Sequence, residues 1–141
     1  MAGYDRSLYQ MYLSQVPMFG SCTPEQLDQL AELGDAVTSA EGDDVIREGE
    51  PGDAFFVVAS GKARVSRGDR EIAGLGAGDY FGELALFDPA PRNATVTAVS
   101  RVSLISLSRD AFTRALDEMP AIRDALLHGM AQRLHELDAR G

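Results

Sequence analysis

A chain of 141 residues, 45% of them hydrophobic, is sized for one domain that buries a sizeable core. Thirteen Lys and Arg against 22 Asp and Glu leave a net charge of −9, which argues against nucleic acid, since phosphate backbones are held by clustered cations. No apolar run approaches a membrane span, and the N-terminus lacks a basic-then-apolar leader.

Residues 5–15 and 24–33 are predicted as two short helices. The second carries its own start signals: Thr23 as N-cap, Pro24 at the first position and Glu25 in the first turn. Tyr4, Leu8, Tyr9, Tyr12 and Leu13 make the first helix apolar, which reads as core packing ahead of a partner surface. From about residue 35 the pattern turns to short β-rich runs: Val45-Ile46, Phe55 to Ala59, Ala63 to Val65, Glu71 to Ala73, Ala94 to Val99 and Val102 to Leu107. Gly and Asp turns separate them. Many short strands with regular turns favour an antiparallel β-roll or jelly roll over a parallel sheet.

The helical period returns at Ser108, an N-cap with Asp110 in the first turn, and Phe112, Leu116 and Met119 follow at helical spacing. Pro120 interrupts and opens a second helix. Ile122, Leu126, Leu127, Met130, Leu134 and Leu137 form an apolar stripe on it, read as packing ahead of a dimer seam. His128 and His135 stand two turns apart, wider than the i, i+4 pairs that hold metals, and Cys22 is alone; no metal and no disulfide are expected. The expected fold is mainly β with flanking helices, in one domain over 1–141. It divides into an N-terminal helical segment over 1–34, a roll over 35–107 and two helices over 108–140.

Residues 81–98, FGELALFDPAPRNATVTA, carry the chemistry. Phe81-Gly82-Glu83-Leu84-Ala85-Leu86 reads as one helical turn whose unpaired N–H groups suit an anion. Gly82 lets the backbone approach a ligand, and Glu83 can accept from a ribose hydroxyl. After the stiff turn Asp88-Pro89-Ala90-Pro91, Arg92 adds a permanent charge and a planar donor fork matched to phosphate. These elements read as a phosphate–ribose clamp.

The stretch resembles the phosphate-binding cassette of the cyclic nucleotide-binding domain family, which runs roughly Phe-Gly-Glu-(Leu/Ile)-Ala-Leu, a short gap, then Pro-Arg-x-Ala-(Thr/Ser)-Val. The likeness extends to Glu48-Gly49-Glu50-Pro51-Gly52-Asp53, Ser60-Gly61-Lys62-Ala63 and Gly78-Asp79-Tyr80. It implies a ribose contact from Glu83 and phosphate contacts from Arg92 and from the backbone around Gly82, Leu84, Ala85 and Asn93. The family usually has Ala, Ser or Thr where Asn93 stands; Asn93 can bond the phosphate, a guanine amino group, or neither. Thr95 can reach the phosphate or serve only as a strand residue. The resemblance also makes the last helix a lid over the base, with Arg133 stacking on a purine or lying solvated on the surface.

The ligand implied is 3′,5′-cyclic AMP, with cyclic GMP second, and no cofactor. The protein is expected to sense rather than catalyse, in the cytoplasm, with no nucleic-acid or membrane partner and with a homodimer or partner protein engaged through the terminal helices. The competing expectation is a roll that has lost its ligand and works as an interaction scaffold. An enzyme would need a His cluster or a Ser/His/Asp set that the sequence lacks. Gly141 follows directly on the last helix, so the expectation is a free-standing receptor or a domain excised from a larger protein.

Overall fold

The change of apolar period near residue 35 marks a boundary in the fold. The computed structural model describes residues 6–16, 19–86 and 90–139, and within these leaves aside the side chains of Arg6, Glu83, Leu84, Met130 and residues 132–139. A β unit covers Gly34–Arg109; the helical segments on either side of it form a second unit.

Among the described residues ten strands make the β unit: β1 (Asp35–Ser39), β2 (Asp44–Ile46), β3 (Pro51–Gly52), β4 (Ala54–Ser60), β5 (Ala63–Arg67), β6 (Arg70–Leu75), β7 (Tyr80–Phe81), β8 (Ala90–Pro91), β9 (Thr95–Ala98) and β10 (Val102–Ser108). A 3-10 turn, Glu83–Leu86, sits between β7 and β8. The pairing is nested and antiparallel: β1 with β10, β2 with β9, β3 with β8, β4 with β7, and β5 with β6. The chain is thus a doubled ribbon that turns back between β5 and β6. Two further pairings, β10 with β4 and β9 with β5, wind the ribbon into two four-stranded sheets, β1-β10-β4-β7 and β2-β9-β5-β6. That is the roll the short-strand pattern predicts.

The two sheets face each other through alternate residues. Val58, Val102 and Leu104 from one and Ala63, Val96 and Ala98 from the other form a buried cluster, with Phe56, Val65, Leu75 and Phe81 packed against it. Period-two alternation turns Thr97 the other way, between Val96 and Ala98. Thr97 is nevertheless buried, and its hydroxyl donates to Asp44 Oδ1 at 2.8 Å. That bond ties β9 to β2 across the outer face.

All six β-rich runs of the sequence become strands. Four strands carry no such signal: β1, β3, β7 and β8. Two of them, Pro51–Gly52 and Ala90–Pro91, are built from residues that weaken a ladder, and they persist because they pair with each other.

In the helical unit, α1 spans Arg6–Ser14 and α2 spans Pro24–Ala31. Thr23 caps α2 with a full capping box: Gln26 N–H donates to Thr23 Oγ1 at 3.1 Å, and Thr23 N–H to Gln26 Oε1 at 2.9 Å. Tyr9 and Leu13 are buried, in line with the packing reading of α1; Tyr4 lies outside the described residues. α3 spans Arg109–Glu118 and α4 spans Pro120–Ala139, the latter opened by its proline as expected. Ile122 and Leu126 are buried on α4. Leu127 does not belong to that stripe: it is 59% exposed, because it lies one position, about 100°, around the helix from Leu126. The side chains of Met130, Leu134 and Leu137 lie outside the described residues.

Candidate functional site

The site is built around Arg92, which leaves β8 with its main chain clamped. Its N–H donates to Glu50 O at 2.8 Å, and its carbonyl accepts from Gly49 N–H at 2.7 Å. The side chain then runs over β3 toward the start of β4, where Nη2 donates to Ala54 O at 2.9 Å. Two glycines make room for it. A Cβ on Gly52 would stand 1.8 Å from Arg92 Nε and 2.3 Å from Cζ; a Cβ on Gly82 would stand 2.8 Å from Nη1 and 2.9 Å from Ala54 O. Gly82 also has φ +81°, a conformation L side chains rarely adopt. The guanidinium therefore lies in a slot between β3 and the entry to the 3-10 turn.

Burial pushes the Arg92 guanidinium below its ordinary value, and the nearby Asp53 carboxylate opposes that shift. Arginine stays charged regardless. A cation that is partly desolvated gains from an anion set against its remaining donors. Among the described residues Ala54 O is the one hydrogen-bond acceptor of the guanidinium, so Nε and Nη1 keep donors to offer.

Gly82 opens the Glu83–Leu86 turn, and Ala85, which is buried, donates its N–H back to Gly82 O at 3.1 Å. The backbone of Glu83 and Leu84 belongs to this turn; their side chains lie outside the described ones. Phe81, the residue before Gly82, stacks on Phe56 with centroids 5.1 Å apart, which seats the turn on β4.

After Arg92 the chain enters β9. Asn93 is exposed, and its backbone carbonyl accepts from Arg67 Nε at 3.0 Å. Thr95 Oγ1 accepts from Glu48 N–H at 2.9 Å, while Glu48 Oε1 accepts from Gly68 N–H at 2.9 Å. Glu48 thus joins the strand after Arg92 to the turn between β5 and β6.

The fold sets Arg92 against Gly82, whose carbonyl accepts from Ala85 N–H, while Asn93 and Thr95, which follow Arg92, bond to Arg67 and Glu48. Arg133 lies on α4, in the helical unit, with its side chain outside the described ones. Sequence reasoning gives no role to Gly52, Asp53 or Ala54, although Pro51-Gly52-Asp53 stands inside a run that carries the family likeness. Gly52 accommodates the arginine, Asp53 supports its charge and Ala54 O orients it. On the same β3–β8 ribbon an open pocket of about 440 Å³ is lined by Gly49, Pro51, Gly52, Asp53, Ala90 and Pro91. Among the described residues no group of three or more His, Cys, Asp or Glu could hold a metal ion. No helix among them is long and apolar enough to cross a membrane.

A nested antiparallel β-roll, with an arginine in a glycine slot beside a short 3-10 turn, defines the class of fold. The chain belongs to the cyclic nucleotide-binding domain family, whose sequence profile matches residues 36–119. It is similar to a cAMP-dependent protein kinase regulatory subunit of Hypocrea atroviridis, 34% identical over 134 residues, covering 94% of this chain and 29% of that protein. It is also similar to a CRP-like cAMP-activated global transcriptional regulator of Mycobacterium tuberculosis, 34% identical over 127 residues, 86% of this chain and 57% of that one. The chain therefore spans only about a third to a little over half of these relatives. Among solved structures, the N-terminal domain of a transcriptional regulator from Streptomyces coelicolor A3(2) has a TM-score of 0.85 and 35% identity, covering 91% of this chain and 95% of that one.

Proposed function

We propose that this chain is a non-catalytic receptor for a cyclic nucleotide, with 3′,5′-cyclic AMP as its ligand and cyclic GMP as the second choice. The observation that carries the reading is Arg92, a partly desolvated cation seated between Gly52 and Gly82 with donors to spare among the described residues. In this reading Arg92 takes the cyclic phosphate, with N–H groups of the Gly82–Ala85 turn and of Asn93 beside it; the Ala85 N–H, which donates to Gly82 O at 3.1 Å, would exchange that carbonyl for the phosphate. Glu83 accepts from the ribose 2′-hydroxyl. Thr95 borders the phosphate, and Arg133 on α4 stacks on the base. Relatives named for cAMP support the choice of ligand.

Binding switches something only if the ligand prefers one conformation of the C-terminal helices over another. α3 and α4 are the elements we assign to that movement, and the terminal helices to contact with a second copy or a partner protein. The net charge of −9 supports a sensor that does not touch nucleic acid, and we place it in the cytoplasm with no membrane partner. The test is Arg92→Ala in a cyclic AMP titration. The expected loss is about 2–5 kcal/mol, the range for truncating one partner of a buried charge pair. Near-unchanged affinity overturns the phosphate assignment.

A further inference from the structure

Two successive carbonyls at the start of β4 hold two different groups. Ala54 O accepts from Arg92 Nη2 at 2.9 Å, and Asp53 O accepts from the backbone N–H of Arg109 at 2.7 Å. Arg109 is the first residue of α3. N–H groups in the first turn of a helix have no partner inside the helix, so the Asp53 carbonyl is an external tether for its start. Ser108, the last residue of β10, registers against Ala54 in the same place. The arginine and the helix start are thus one peptide unit apart.

We propose that the Asp53–Ala54 peptide couples ligand occupancy to the first turn of α3. This rests on the reading of Arg92 as the phosphate's partner. An anion on the free donors of Arg92 offsets the desolvation of the guanidinium and fixes Nη2 on Ala54 O. A fixed Ala54 carbonyl holds the preceding peptide, and with it Asp53 O, in position for the Arg109 N–H. The ligand then favours the tethered state over the untethered one, which is the differential affinity a switch needs. Without the anion the guanidinium is held, among the described residues, by a single hydrogen bond to Ala54 O, and the tether opens more often.

One substitution isolates the tether. Arg109→Pro deletes the N–H, while proline suits the first position of a helix and Ser108 before it is already extended strand. Arg109→Ala keeps the N–H. It sacrifices no hydrogen bond of Nε, which is buried without a partner among the described residues.

Backbone amide exchange by NMR, on the full chain with and without saturating cyclic AMP, reads the coupling. In the wild type the Arg109 amide is expected to slow about tenfold on saturation, with amides 110–113 following. Arg109→Ala keeps the slowing at 110–113. Arg109→Pro binds cyclic AMP about tenfold more weakly than wild type, the reciprocal of the coupling, and loses that slowing. An Arg109 amide whose exchange ignores the ligand overturns the proposal, and this holds even should the proline variant not fold. So does slowing at 110–113 that survives in Arg109→Pro. A wild type that gives no binding heat with cyclic AMP refutes the phosphate reading itself, and the coupling with it; binding heat without amide slowing refutes the coupling alone.

Discussion

Gly52→Ala perturbs the site without touching a charge. Gly52 carries no positive φ, so alanine is compatible with its backbone. The new Cβ, however, would stand 1.8, 2.3 and 2.6 Å from Nε, Cζ and Cδ of Arg92, three consecutive atoms. Ordinary contact begins at 3.4 Å, so the side chain must retreat by about 1.6 Å as a unit. A retreat of that size breaks the 2.9 Å bond from Nη2 to Ala54 O and takes the fork off its line. Loss of one hydrogen bond to a charged group costs about 1.5–3 kcal/mol of stability. Removing a glycine from the unfolded ensemble returns about 0.4–1 kcal/mol, and the guanidinium regains some of its water. The net expected change is a destabilisation of at most about 2 kcal/mol, with the fold retained. Affinity should fall much further, toward that of Arg92→Ala: about 2–5 kcal/mol, or roughly 30-fold to several thousandfold in Kd. Urea melts and cyclic AMP calorimetry on the same preparation separate the two effects. Wild-type affinity in a folded Gly52→Ala protein would refute the claim that the slot positions Arg92 for the ligand.

Glu83→Ala should weaken cyclic AMP while hardly affecting its 2′-deoxy analogue; equal losses for the two ligands remove Glu83 from the ribose. Leu104→Ala, at a position 1% exposed in the roll's interior, should cost about 2–5 kcal/mol by urea denaturation, and a cost below about 1 kcal/mol would contradict its place in the core. Thr97→Val gives a pH signature. The Thr97 hydroxyl, above all, holds the Asp44 carboxyl below its ordinary value, with Arg47 helping and burial opposing. A depressed carboxylate contributes stability that is present above its unfolded value, near 3.9, and is lost as pH falls through the folded one. The stability gap between wild type and Thr97→Val should therefore narrow as pH drops from about 6 to about 3. A gap independent of pH would show that the hydroxyl does not act through Asp44; the effect is small, since Asp44 is partly exposed.

The features legible in the sequence are local ones. Thr23-Pro24-Glu25-Gln26 announces a helix start by chemistry contained in four residues, and the capping box is there. Val96 and Ala98 alternate with Thr97, which is enough to make a strand with one face inward. The nested pairing of β1 with β10 or β3 with β8 has no local signature, because it joins segments from opposite ends of the roll. The pairs Pro51–Gly52 and Ala90–Pro91 look like turns until they meet. The site divides the same way. Gly82, Glu83 and Arg92 stand in one recognisable run, whereas the need for glycine at 52 arises only once the fold lays Arg92 across it. Leu127 falls into one stripe with Leu126 by sequence because apolar character alone does not say which side of a helix is covered.

The most direct measurement is calorimetric titration of ligand-stripped protein with cyclic AMP, run beside cyclic GMP and Arg92→Ala. One-to-one binding at about micromolar Kd or tighter, lost in the variant, is the predicted result. No heat with either nucleotide, from protein shown to be folded, would contradict the receptor account and leave a ligand-free interaction scaffold in its place.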